Sequence, residues 1–257
     1  AIKGLEKFLV EYPESVFTYE ADYFLGMSYF QLEDNKMAKQ YLYIVSGADQ
    51  KYHYQQALNV LSGIYQEDND WDKANEINEK LLQITLSGKR QQLILLELIV
   101  GNYNTEDYTK SLTFIEEIFT TEETLIYAFN KASLYKGLVY YRQKKLEEAK
   151  DEFVLLSNNA KDIYAAEAHF MVGQVLYDQD KYLESIESLK SLLNTRGDFS
   201  KWYGEGYVLA AMCYVNLGQT FQGKSYLKDI VTNYPDKSVA EHAQKYLDEI
   251  ENEEVEE

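Results

Sequence analysis

Two prolines, Pro13 and Pro235, one cysteine, Cys213, and three histidines are all that this 257-residue chain has of the residues that break helices, form disulfides and bind soft metals. A lone thiol forms no internal disulfide, and without a Cys and His cluster no zinc site is expected. That leaves both cytoplasm and periplasm open as compartments. Positive charge is also scarce: 25 Lys and Arg face 43 Asp and Glu, a net charge of -18. A polyanion would meet a repulsive field, so nucleic acid is excluded as a partner. Long apolar runs are missing too. The longest, Leu93 to Leu96, extended past Glu97 to Val100, falls far short of the roughly 20 residues of a membrane span, so a soluble chain is expected. The opening A-I-K-G-L-E-K-F-L reads as the middle of an amphipathic helix, so the native chain is expected to begin upstream, and membrane contact only through an anchor there.

What is present is helical periodicity. Apolar content of 46% is ample for a core, and apolar residues recur at three- and four-residue spacing, as in Tyr23, Met27 and Phe30 or Leu134, Leu138 and Tyr141. No sustained period-two pattern occurs. Polar breaks such as Glu33-Asp34-Asn35, Glu67-Asp68-Asn69-Asp70 and Asn104-Thr105-Glu106-Asp107 punctuate the helices, and turns this short force antiparallel neighbours.

The chain repeats itself. A small residue at Gly26 recurs as Ser62, the bulkier Ile99, Gly137, Gly173 and Ala211, with spacings of 36, 37, 38, 36 and 38. Twelve residues after each comes another small one: Ala38, Ala74, Ser111, Ala149, Ser185 and Gly223. Four further on stand Leu42, Asn78, Ile115, Phe153, Leu189 and Leu227, and three beyond those an aliphatic, Val45, Leu81, Ile118, Leu156, Leu192 and Ile230. Two helices approach closely only where side chains are small, so Gly26 and Ala38 are expected to form a notch whose flanks the larger residues fill. Bulky residues at the start of second helices, Trp71, Tyr108, Leu146 and Tyr182, are expected to pack back on the preceding helix.

This pattern of Leu25-Gly26, Tyr29 and the small, bulky and aliphatic triplet of the second helix resembles the tetratricopeptide repeat. The resemblance implies an all-α, right-handed α-solenoid of antiparallel helix pairs over 1–250. It divides into a half repeat at 1–18, six repeats at 19–54, 55–91, 92–129, 130–165, 166–203 and 204–237, a capping helix at 238–250 and a disordered acidic tail at 251–257. The period exceeds the family's usual length of about 34, and Ile99 and Asn102 depart from the pattern, so the helices of the third repeat are the least secure expectation. The Tyr-Pro joints Y-P-E-S and N-Y-P-D-K-S resemble those of bacterial cell-envelope tetratricopeptide proteins, the Tol-Pal-associated coordinators and outer-membrane-assembly lipoproteins. That resemblance implies a bacterial periplasm or envelope, although helix termination by proline and capping by Ser explain the same letters and leave the cytoplasm open.

The family implies no chemistry of its own, and the residues agree. His53, His169 and His242 lie in different repeats without a phosphate loop, an H-E-x-x-H or a nucleophile elbow, so no catalytic residue, metal or cofactor is expected. Cys213 reads as a small buried hydrophobe, and adjacent acids such as Glu147-Glu148 as solvated faces. The expected function is a non-catalytic scaffold binding a peptide or protein, an apolar or basic amphipathic segment, on a concave wall of Tyr23, Met27, Phe30, Leu96, Tyr103, Leu134, Tyr141, Phe170 and Tyr177. Only Arg142 and Lys131 approach the places where a carboxylate clamp needs cations, which argues against one. The alternative is a structural, self-associating module docking through its outer face or ends. Periodicity does not separate a core face from a binding face when both are apolar.

Overall fold

Each polar break of the sequence becomes the same backbone turn. The first residue after the C-cap takes a left-handed conformation at Glu33, Asn69, Glu106, Lys144, Asp180 and Gly218, with φ between 57 and 76°. Five of the six are not glycine, at a cost of roughly 1 kcal/mol each. The turn offsets that cost by satisfying carbonyls that the helix end leaves open. At the first turn the Glu33 N–H donates to Phe30 O at 3.0 Å and the Asp34 N–H to Tyr29 O at 3.0 Å. The second of these bonds, which spans five residues, recurs from Asp70 to Tyr65, Lys145 to Tyr140, Lys181 to Leu176 and Gln219 to Tyr214. The next helix starts at once, because Asp34, Asp70 and Asp107 accept from the backbone N–H groups of Met37, Lys73 and Lys110 and so cap its first turn.

The computed structural model describes residues 1–47, 52–193 and 199–256, and among them fourteen α-helices and no strand. Parts of the expected first and fifth repeats, 48–51 and 194–198, and Glu257 of the expected tail lie outside the described residues. After α1 (Ile2–Glu11) the helices come in pairs: α2 (Thr18–Gln31) with α3 (Asn35–Ser46), α4 (Tyr54–Glu67) with α5 (Trp71–Ile84), and α6 (Gly88–Asn104) with α7 (Tyr108–Thr120). Then follow α8 (Ile126–Arg142) with α9 (Leu146–Asn159), α10 (Ile163–Asp178) with α11 (Tyr182–Leu193), α12 (Ser200–Asn216) with α13 (Thr220–Asn233), and α14 (Lys237–Glu256). The chain forms two compact units, Ala1–Phe129 and Asn130–Glu257.

The small position does take a close approach, but its partner is the residue sixteen further on. A Cβ at Gly26 would lie 2.6 Å from the Leu42 side chain, at Gly137 2.4 Å from the Phe153 ring and at Gly173 2.6 Å from Leu189. The residue twelve on meets the backbone of the notch instead. Ser111 Oγ donates to Ile99 O at 3.1 Å, Ser185 Oγ donates to Gly173 O at 2.8 Å, and a Cβ at Gly223 would stand 2.7 Å from Ala211 O. In the second repeat the pair is polar: Ser62 Oγ donates to Asn78 Oδ1 at 2.7 Å, which accounts for the one polar residue in an otherwise apolar column. The third repeat forms both helices despite its departures. Ile99 and Ile115 are fully buried, and the close approach moves to Gly101, whose missing Cβ leaves room for Asn75 of the repeat before.

In the first unit Tyr23, Leu42, Leu58, Ile77 and Leu98 share one core; in the second, cores gather around Phe153, Leu189 and Leu227. Two of the second-helix aromatics pack back as expected, with ring centroids 6.1 Å apart for Tyr103 and Tyr108 and 5.5 Å for Tyr177 and Tyr182. In the second unit α10 packs on α12 and α12 on α14. The helix expected over 238–250 runs from Lys237 to Glu256, burying Val239, Ala243, Leu247 and Ile250. The acidic tail is therefore helical through Glu256 rather than disordered. Lys224 and Lys228, 3.7 and 3.2 Å from Glu251, neutralise its first carboxylate.

Candidate functional site

The first helices of the pairs carry all nine residues of the expected wall, and the structure sorts them by burial. Tyr23, Leu96 and Leu134 are core residues, and the Tyr23 ring stacks on His53 with centroids 4.0 Å apart. Met27, Tyr103, Tyr141, Phe170 and Tyr177 are half-buried, and Phe30 is 37% exposed. Two of the tyrosine hydroxyls are engaged between repeats: Tyr141 donates to Asp178 Oδ2 at 2.5 Å, and Tyr177 accepts from Asn216 Nδ2 at 3.0 Å. Phe170 packs on Trp202 at 5.5 Å.

On the same first-helix side of the first unit lies a hollow of about 260 Å³ that the apolar pattern missed. Its lining includes Asn59, Gln66, Asn78, Arg90, Leu93 and Glu97. Asn59 and Gln66 stand one turn either side of the small residue Ser62, where other repeats have apolar side chains; following those columns through the polar second repeat would have found them. A chain of hydrogen bonds runs across the floor, from Gln66 Nε2 to Ser62 Oγ at 3.2 Å and from Ser62 Oγ to Asn78 Oδ1 at 2.7 Å. It ends on an orphan, since Asn78 Nδ2 is buried and has no acceptor among the described residues. Such a donor costs about 1–3 kcal/mol, which an acceptor supplied by a ligand would recover. At the rim Arg90 Nη2 donates to Asn59 Oδ1 at 2.7 Å.

In the second unit the expected residues Phe170 and Tyr177 border a crevice of about 40 Å³ with Met212, Glu205, His242 and Tyr246, enough for one water molecule or a methyl group. Glu205 Oε2 is 2.7 Å from His242 Nδ1, joining α12 to α14. Glu205 lies in one column with Glu167, six residues upstream of the notch on their own helices, and reading the repeat that far back would have exposed the pair. Burial pushes the Glu167 carboxyl up to about 7, opposed by Lys201. A folded pKa above the unfolded one means that the native state holds this proton more tightly. Stability is then expected to rise as pH falls from about 8 through 7 and to level off below the ordinary glutamate range. Urea titrations of wild type and Glu167→Gln across that range check this, because the Gln variant should lose that part of the slope.

The nucleophile and histidine positions hold no converging chemistry. Cys213 is fully buried and its thiol is pushed up by that burial, which disfavours the thiolate. Desolvation holds His169 below its usual value. Among the described residues no three His, Cys, Asp or Glu side chains stand together as a metal site, and no helix is long and apolar enough to cross a membrane.

The paired-helix architecture is shared with solved structures. PilF of Pseudomonas aeruginosa is 19% identical, with 89% of this chain covering 97% of that one at a TM-score of 0.54. A tetratricopeptide repeat protein of Parabacteroides merdae is 14% identical, with coverage of 95% and 90% and a TM-score of 0.57. A Rap protein solved in complex with competence and sporulation factor is 15% identical, with coverage of 98% and 80% and a TM-score of 0.51. The tetratricopeptide repeat family model matches residues 205–237, which hold most of α12 and all of α13. This is the tetratricopeptide repeat fold. The other repeats share its left-handed turn, and the first, second, fourth and fifth pair residues sixteen apart. No curated protein matches the chain in sequence.

Proposed function

We propose that the chain is a non-catalytic scaffold that binds a partner polypeptide along its first-helix side, with the hollow of the first unit receiving polar groups of the partner's backbone. The orphaned Asn78 Nδ2 in that hollow is the observation that carries this reading. Asn59, Gln66, Arg90 and Glu97 offer both donors and acceptors, as an extended backbone needs, while Leu93, 47% exposed, and Phe30 supply apolar contact on the same side of the repeats. A net charge of -18 favours a basic, amphipathic segment. The Rap complex with its factor supports a partner-holding role for this fold. An envelope setting is supported by the two Tyr-Pro joints.

The test uses the whole chain as bait, identifies the retained protein, and measures the purified pair by calorimetry. Arg90→Ala with Gln66→Ala removes one side chain at the rim and the half-buried outer end of the floor's hydrogen-bond chain, and is expected to weaken binding at least tenfold while helicity and melting stay close to wild-type values. Unchanged affinity would overturn the assignment of the hollow.

A further inference from the structure

The second unit carries a larger cavity, about 440 Å³, lined by side chains of α11, α12 and α13. Leu189, Ala210 and Ile230 form its apolar floor, and Tyr207, Tyr214, Tyr226 and Tyr234 wall it. No residue of this cavity belongs to the first-helix hollow, so the two sites stand or fall separately.

The hydroxyl of Tyr234, which also lines the cavity, donates to the Ser200 carbonyl. Those of Tyr207, Tyr214 and Tyr226 have no protein partner among the described residues, and Tyr207 and Tyr226 are 44% and 45% exposed. Asp229 at the mouth receives one hydrogen bond, from Asn233 Nδ2 at 2.7 Å, and no described cation pairs with it. The one cation in the lining, Lys190, sits 3.1 Å from Glu187 Oε2. An apolar floor, aromatic walls with three uncommitted hydroxyls and a carboxylate without a paired cation among the described residues therefore meet in one cavity of ligand size.

We propose that this cavity is a second docking site that takes an apolar side chain flanked by a lysine or arginine of a partner polypeptide. The side chain enters between the tyrosines, and the flanking cation lies against Asp229 and the tyrosine faces. Charge decides the occupant: an acidic segment would bring like charge to Asp229 on a chain that is already strongly negative, and a basic one neutralises it.

Two blocked tripeptides test this, acetyl-Arg-Trp-Arg-amide and acetyl-Glu-Trp-Glu-amide, titrated at low ionic strength into the isotope-labelled full chain. The amide signals of Ala210, Asp229 and Asn233 are read by nuclear magnetic resonance. The basic peptide is expected to move these signals and the acidic one to leave them in place. Asp229→Asn should weaken the basic peptide about fivefold, the worth of one ion pair at 4 Å in water. Ala210→Leu, which fills the floor, should abolish the shifts; if that variant does not fold, exposed Asp229→Asn still carries the test. Equal binding of both peptides, shifts confined to other surfaces, or an unchanged affinity in Asp229→Asn would each overturn the proposal.

Discussion

Phe153→Ala is expected to cost about 3–5 kcal/mol of unfolding free energy, the range for deleting a buried phenylalanine. The ring is fully buried among Leu134, Ala149, Leu156, Met171 and Val172, and it fills the space that Gly137 leaves open on α8. The void has a bare glycine on one side, so neighbouring side chains have little with which to refill it. Urea denaturation followed by circular dichroism reads the change, and a loss below about 1 kcal/mol would show that the ring is not the plug of this joint. The complementary experiment adds bulk from the other side. Gly137→Ala gains up to about 1 kcal/mol of helix propensity yet places a Cβ 2.4 Å from the ring, so a net loss is expected. In a Phe153→Leu background the same substitution should cost less than alone, a coupling that a double-mutant cycle measures.

Ser62→Ala with Asn78→Leu is expected to raise stability by about 1–3 kcal/mol. The pair it replaces is buried and polar, and the new pair repeats Ala211 and Leu227 of the sixth repeat. Alone, Ser62→Ala strips the donor from Asn78 Oδ1 and should destabilise, because the amide is then buried with neither of its groups satisfied. The double variant also removes the orphan donor from the hollow. A more stable protein that binds its partner more weakly is therefore the outcome that joins the energetics to the proposed function, since strained polar groups persist where a ligand completes them. A double variant less stable than wild type would mean that the pair organises the repeat instead.

The repeat register was legible in the sequence because each element of it has a local cause. A polar residue tolerates the left-handed turn, in the first three repeats an Asp caps the helix that follows, and a small residue admits a side chain sixteen positions on. Which apolar positions face a partner was not legible. Tyr23, Leu96 and Leu134 obey the same spacing as Phe30 and Tyr103 yet lie in the core, because a helix between two neighbours buries more than one stripe. The hollow was hidden for the opposite reason. Asn59 and Gln66 look like solvated residues until the buried Ser62 and Asn78 beneath them are seen. Glu205 shares a sequence column with Glu167, but its contact at 2.7 Å with His242 joins helices that only packing brings together.

The left-handed residue also sets how this chain can change in length. It follows the notch by seven residues and precedes the second small position by five in all six repeats, as in Gly26, Glu33 and Ala38 or Ala211, Gly218 and Gly223. All the variation in period, from 36 to 38, therefore falls between one hairpin and the next. Each hairpin is a cassette of constant internal length, and the joints between cassettes take up insertions. Duplication, excision or exchange of a whole repeat at those joints leaves every cap, turn and notch in register, which gives an array of this kind a modular route to new binding surfaces without redesigning its folding unit.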